Sequence, residues 1–69
     1  FQKNPNSPLS PRETEVLELL AKGKSYSMIA QELFVTKETA KSHIKNIYSK
    51  LQVNSKSEAI AKATKEKLI

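Results

Sequence analysis

Residues 25–51, SYSMIAQELFVTKETAKSHIKNIYSKL, carry the strongest structural signal in the sequence. Apolar residues recur in it at spacings of three and four, which is typical of amphipathic helices and not of strands. The spacing predicts one helix over about 26–33 and a longer one over about 37–51, with Ser25 and Thr36 as their N-caps. Only about three residues separate the two helices, a length typical of a tight helix-turn-helix.

Each of the two helices is expected to bury the side that carries its apolar residues. In the shorter helix, the periodic apolar residues are Ile29, Ala30, Leu33 and Phe34. In the longer helix, an apolar arc of about 100° carries Ala40, Ile44, Ile47, Tyr48 and Leu51. The remaining arc is polar, with mostly basic charges, and holds, in angular order, Lys41, Lys45, Glu38, Ser49, Ser42, Asn46 and Thr39, with Lys50 and His43 at its far border. The longer helix is therefore predicted to pack by one side and to leave a lysine-rich side in solvent.

Another helix, of about residues 11–22, is predicted to precede this unit. Ser10 is placed to cap it, Pro11 suits the first helical position, and Glu13 can return a hydrogen bond to the cap. Gly23 then supplies the left-handed residue that commonly ends a helix.

A fourth helix, of about residues 56–67, is predicted to follow the unit. Ser55 and Glu58 form a second capping box at its start. The apolar residues that this helix is expected to bury are Ala59, Ile60 and Ala63, and Leu68 and Ile69 close the chain. Residues 1–8 lack apolar periodicity and are expected to form a linker or a frayed end. The sequence thus predicts an all-α domain of four helices over residues 9–69, with the helix-turn-helix at 26–51.

The positive charge is concentrated on the longer helix and its ends. The chain of 69 residues has a net charge of +5, and residues 36–56 hold five lysines against one glutamate, Glu38. A local basic excess is typical of a surface that binds a polyanion, although lysines on a solvated helix produce the same pattern. Charge alone leaves both interpretations open.

The residue content argues against catalysis and against a metal site. There is no cysteine and His43 is the single histidine, so thiolate sites and histidine cages are excluded. No acidic residue is placed to orient His43, and one glycine cannot make a glycine-rich phosphate loop. No apolar run approaches the roughly 18 residues that span a bilayer. We therefore expect a protein that is not an enzyme and takes no cofactor or metal.

Double-stranded nucleic acid is the partner that the pattern of residues 25–56 favours. Duplex recognition needs a basic helix held by a rigid neighbour, with hydrogen-bonding side chains of modest length, and the major groove admits such a helix. A rival from another class is a helical protein-interaction module whose lysines confer only solubility. Binding to a membrane surface is less favoured, because the apolar arc of the longer helix is needed for the core.

Residues 9–63 resemble the LuxR/GerE-type helix-turn-helix domain. The resemblance is carried, in order and spacing, by LSPRETEVL at 9–17, Gly23, IAQELFVTKETAKSHIKNIYSKL at 29–51 and SKSEAIA at 55–61. It implies the DNA-binding domain of a cytoplasmic bacterial transcription regulator, very often a NarL-type two-component response regulator with a receiver domain upstream. A sigma-factor region that recognises a promoter element remains the alternative within DNA binding. Because the chain starts at Phe1, we expect it to be a piece of a longer protein.

The resemblance also implies roles for individual residues. Base contacts would fall on Lys41, Ser42 and Lys45. Phosphate contacts would fall on Ser25, Ser27, Thr39, Asn46, Lys50 and Lys56. The fourth helix would form the contact of a homodimer on paired half-sites, and its small residue Ala61 is our candidate for that surface.

Four positions depart from the usual pattern of the family. Gln52 stands where glycine is common, so we expect either a less sharp exit from the third helix or a strained left-handed residue there. Met28 replaces a frequent glutamate, which leaves the cap Ser25 without a reciprocal partner. Ala40 replaces a usual valine and Lys56 a common arginine, which changes local packing and the geometry of one cation but not the basic face.

Overall fold

A computed structural model describes residues 7–69, which form four helices and no strand. The helices are α1 (Pro11–Ala21), α2 (Tyr26–Leu33), α3 (Lys37–Leu51) and α4 (Lys56–Lys65). The predicted all-α, four-helix fold is confirmed, although α1 is one residue shorter and α4 two residues shorter than the sequence pattern suggests. Most of the linker expected over residues 1–8 lies outside the described residues.

The four helix starts are fixed by hydroxyl side chains. Each cap accepts a hydrogen bond from the backbone N–H three residues on, and these caps are Ser10, Ser25, Thr36 and Ser55. At α1 the capping box is complete, because a Glu13 carboxylate oxygen accepts the Ser10 N–H at 2.9 Å. At α2 the Ser25 hydroxyl accepts the Met28 N–H at 3.2 Å without a side chain returning from Met28. The four predicted caps are therefore confirmed, but the second capping box is incomplete, because Glu58 Oε1 accepts the N–H of Asn54 at 3.1 Å and not that of Ser55.

The helix ends rely on left-handed residues, only one of which is glycine. These residues are Gly23 (φ 89°), Phe34 (φ 57°), Gln52 (φ 56°) and Lys67 (φ 59°). After α4, the Leu68 N–H donates to the Ala63 carbonyl at 2.8 Å, which ends the helix at Lys65 and returns Leu68 to the core. The expected extension of α4 to residue 67 is corrected, because the chain reverses at a lysine that carries no stop signal.

The structure corrects one expected core residue, Phe34. Its side chain is 95% exposed. The helix ends at Leu33, as the sequence predicts, but the apolar spacing counted Phe34 with the buried face, whereas its left-handed backbone turns the side chain outward. The next residue, Val35, packs against the core instead, and its N–H donates to the Ala30 carbonyl at 3.0 Å.

α3 packs against each of the other three helices, as α1 also does. Its buried residues are Ala40, Ile44, Ile47 and Leu51, as predicted, and Tyr48 is half-buried beside them. The same core cluster includes Leu9, Val16, Leu17, Leu20, Ile29, Ala30, Ala59, Ala63 and Leu68. Burial of one whole side of α3 fixes its rotation about its own axis, which decides which of its polar residues face solvent.

Candidate nucleic-acid interface

The outward side of α3 carries all three residues expected to contact bases. Lys41, Ser42 and Lys45 are exposed, while Ile44 and Ile47, between and beside them in sequence, are buried. This alternation places the three polar side chains opposite the core. The structure therefore brings them together on one accessible helix face.

The charge of this face is largely uncompensated. Lys41 Nζ lies 4.0 Å from Glu38 Oε1, and the Glu38 side chain is itself well exposed, so solvent weakens this ion pair. Within residues 7–69 no ion pair holds Lys45. At the edge of the face, burial raises the pKa of the Tyr48 phenol and the neighbouring Tyr26 raises it further, so Tyr48 remains neutral beside the lysines.

The residues expected to contact phosphates lie on three helices or at their starts and are exposed. Ser25 and Ser27 lie at the start of α2, Asn46 lies on α3, and Lys56 is the first residue of α4. The Ser25 oxygen already serves as an N-cap acceptor, which leaves its O–H proton as a donor. Backbone N–H groups at the starts of α2 and α4 add partial positive charge at the same places.

Thr39 is also exposed, but its hydroxyl has a local partner. Its oxygen lies 2.9 Å from that of Thr36, and the Thr39 N–H donates to the Thr36 hydroxyl oxygen at 3.1 Å. Thr39 therefore belongs to the cap of α3 as well as to its polar face. One hydroxyl of the pair retains a proton for an external acceptor.

Lys50 differs from the other candidate cations because it is engaged within the domain. Its Nζ donates to Glu13 Oε1 at 2.7 Å, joining the last turn of α3 to the first turn of α1. The Glu13 side chain is 7% exposed and that of Lys50 41%. Burial alone would raise the pKa of Glu13, but the hydrogen bonds from Lys50 and from the Ser10 backbone, with the Lys50 charge, lower it. Glu13 is therefore held as a carboxylate at neutral pH.

The sequence did not reveal this second role of Glu13. Its capping-box position explained the residue completely in local terms, and its partner lies 37 residues away. Lys62 has a similar hidden role, since its Nζ donates to the Leu51 carbonyl oxygen at 2.7 Å and so ties α4 to the end of α3. Both contacts depend on how the helices pack, for which the one-dimensional pattern holds no signal.

The fourth helix presents Ala61 to solvent. Ala59 and Ala63 are fully buried in the core, so among these small residues only Ala61 is available to a partner. Ala61, the candidate chosen from the sequence for a dimer contact, is therefore accessible to a partner.

Other kinds of site find little support in residues 7–69. No cluster of three or more histidine, cysteine, aspartate or glutamate side chains in this range is arranged to hold a metal ion. None of the helices formed by these residues has the length and apolar character that crossing a bilayer requires.

Comparison with solved structures shows where this architecture occurs. The chain superposes on the response regulator ChrA of a heme-sensing two-component system with a TM-score of 0.86 and 41% identity, over 96% of this chain and 33% of ChrA. It superposes on the transcription factor GerE with a TM-score of 0.82 and 33% identity, over 87% of this chain and 90% of GerE.

Sequence comparison gives the same result. The chain is 43% identical to the transcriptional regulatory protein LiaR of Bacillus subtilis over 94% of this chain and 31% of LiaR. It is 48% identical to the transcriptional regulatory protein DesR of the same species over 88% of this chain and 30% of DesR. The chain thus spans about a third of the length of these relatives. The family model of bacterial regulatory proteins of the luxR family matches residues 7–63, and the chain belongs to that family.

Proposed function

We propose that this chain binds double-stranded DNA as the output domain of a bacterial transcriptional regulator, with α3 in the major groove. The observation that carries the proposal is the division of α3 into a fully buried apolar side and an exposed side bearing Lys41, Ser42 and Lys45. These three side chains would contact base edges, which carry the sequence information of the groove.

Phosphate contacts would hold the domain in register on the duplex. The proposed contacts are Ser25, Ser27, Thr39, Asn46 and Lys56. If about four to six phosphates are neutralised by each domain, the affinity falls steeply as salt rises. Lys50 is set apart from this group because of its ion pair with Glu13.

A mobility-shift titration at low and moderate salt tests the proposal. We expect the domain to shift duplex DNA, to prefer sequences selected from a random pool over the bulk pool, and to lose affinity with a strong salt dependence. A domain that shifts no duplex even at low salt would instead be a helical protein-interaction module, and the proposal would be wrong.

Tight binding would further require two copies on paired half-sites, since one domain of this size covers few base pairs. The proposed contact is the outer side of α4, around the exposed Ala61. Ala61→Glu should leave the fold intact but reduce cooperative occupancy of a duplex with two half-sites, compared with Ala21→Glu, the same change at an exposed residue of α1. Equal cooperativity in Ala61→Glu and the unaltered chain would show that this side of α4 is not the pairing surface.

The relatives that are response regulators suggest the setting of the domain. In the proposed full-length protein, a receiver domain precedes this chain and the regulator works in the bacterial cytoplasm. Phosphorylation upstream would then control the availability or the pairing of the DNA-binding domain.

A further inference from the structure

The ion pair between Glu13 and Lys50 has a consequence for DNA binding that family position alone does not suggest. Motif position places Lys50 among the phosphate contacts, and its side chain is partly exposed at the border of the polar face of α3. Its ammonium, however, already lies 2.7 Å from a carboxylate oxygen of α1. Exposure of the Lys50 stem therefore does not make its ammonium available to a phosphate.

Breaking this pair would leave the Glu13 carboxylate poorly compensated. The Glu13 side chain is 7% exposed, so water replaces a lost cation only in part. The backbone N–H of Ser10 would remain as a donor to the same carboxylate oxygen, but it carries no net charge. A phosphate that draws Lys50 away must therefore offset the cost of a stranded, mostly buried anion. Lys45 pays no such penalty, because no carboxylate within residues 7–69 holds it.

We propose that Glu13 holds Lys50 out of the nucleic-acid interface, and so acts as a positioning residue that sets which lysines of α3 reach phosphates. This inference rests on the proposed function, since it concerns the same interface. In the bound state, Lys50 fixes the end of α3 against α1 while Lys41 and Lys45 face the duplex.

The test measures affinity for a random-sequence DNA duplex of about 20 base pairs at several salt concentrations, for the unaltered chain, three variants of the ion pair and one control variant. Lys50→Met removes the ammonium but keeps the stem, and it should leave the salt slope unchanged. Glu13→Gln keeps an oxygen for the Ser10 N–H but removes the charge that holds Lys50. It should steepen the slope by about one unit, with affinity at about 0.1 M salt rising roughly fivefold to tenfold. The double variant should return to the slope of the unaltered chain.

Glu15→Gln is the matched control, because it makes the same change in net charge on the same helix. Glu15 lies 3.5 Å from Arg12 in an ion pair whose side chains are both well exposed, so its loss releases no sequestered cation. Its salt slope should match that of the unaltered chain. A Glu13→Gln slope equal to that of Glu15→Gln would overturn the inference.

The double variant decides the matter even if either single variant does not fold, since it removes both charges of the pair and leaves no buried carboxylate without a cation. A slope that falls by about one unit in the double variant or in Lys50→Met would show that Lys50 contacts a phosphate, and the inference would be wrong. An unaltered chain without any salt-dependent duplex binding is a separate result, which would contradict the proposed function and the inference with it.

Discussion

The middle of α3 and its last turn hold lysines in opposite situations. Lys45 lies on the exposed face without a carboxylate partner in the described part of the chain, whereas Lys50, one and a half turns later, is tied to Glu13 of α1. Both residues are exposed and both lie on the polar arc of the helix. The availability of a lysine to a DNA phosphate therefore depends on whether its ammonium is already paired with a carboxylate, and not on the accessible surface of its side chain.

Replacing Ile47 by alanine should disturb both the middle of α3 and its last turn. Ile47 is fully buried on the core side of α3, between the two lysines in sequence, and it seats the whole helix. Loss of this side chain should lower the free energy of unfolding by about 3 kcal/mol, a large fraction of the stability of so small a domain. Urea denaturation measures the loss, and Ile60→Ala at a half-buried site of α4 should cost less. A cost below that of Ile60→Ala would show that α3 is not seated as described.

Alanine substitution of Lys45 and of Lys50, one at a time, tests whether the two lysines have different roles. Lys45→Ala should weaken binding to a duplex selected from a random pool by about 1–3 kcal/mol and relax the choice at one base pair. Lys50→Ala should lower stability but change the binding of the folded protein little. Titration of both variants on selected and random duplexes provides the measurement. If the two variants lost the same affinity on both duplexes, Lys45 and Lys50 would have the same role, and the distinction between the middle of α3 and its end would be wrong.

The pair in the last turn should also leave a signature in the acid stability of the domain. The pKa of Glu13 is lowered below its ordinary value of 4.5 in the folded protein. Its contribution is therefore fully present above the unfolded pKa and is lost as the pH falls through the lower folded value. We therefore expect the stabilisation from this group to diminish as the pH falls below 4.5.

Denaturation of the unaltered chain and of Glu13→Gln at a series of pH values provides the test. The variant should be less stable at pH 7, and the difference between the two proteins should shrink toward acid pH. A difference that stays constant from pH 7 to pH 3 would mean that the Glu13 charge contributes nothing to folding.

The smallest expected effect concerns the residue that follows the last turn of α3. Gln52 has a φ of 56°, a conformation that costs a residue with a Cβ some energy and glycine little. Gln52→Gly should therefore stabilise the domain by about 0.5 kcal/mol, net of the greater entropy of glycine in the unfolded chain. The control is Lys22→Gly at the end of α1, where φ is −82° and no strain is relieved, so that variant should not gain stability. Equal effects at both sites would show that the backbone of Gln52 is unstrained.

Much of the fold followed from local signals. The four cap residues and the apolar periodicity of α3 gave the helix starts and the central buried face, since these depend on neighbours in sequence. The exposure of Lys41, Ser42 and Lys45 followed from the same wheel.

What the sequence missed depends on tertiary contact or on unsignalled backbone reversal. Phe34 and Lys67 take left-handed conformations without being glycine, so the exposure of Phe34 and the end of α4 could not be foreseen. The partners of Lys50 and Lys62 are set by how α1 and α4 meet the end of α3. For the candidate interface, the pattern therefore predicts which residues are outside, but not which of them are already engaged.

The most direct test of the account is an NMR titration of the domain with duplex DNA that follows backbone amides and lysine side chains together. The account predicts that signals of Lys41, Ser42 and Lys45 move on addition of the duplex, while the Lys50 ammonium keeps the signature of its ion pair with Glu13. Unmoved signals along the exposed face of α3 at duplex saturation would contradict the central claim that this face enters the groove.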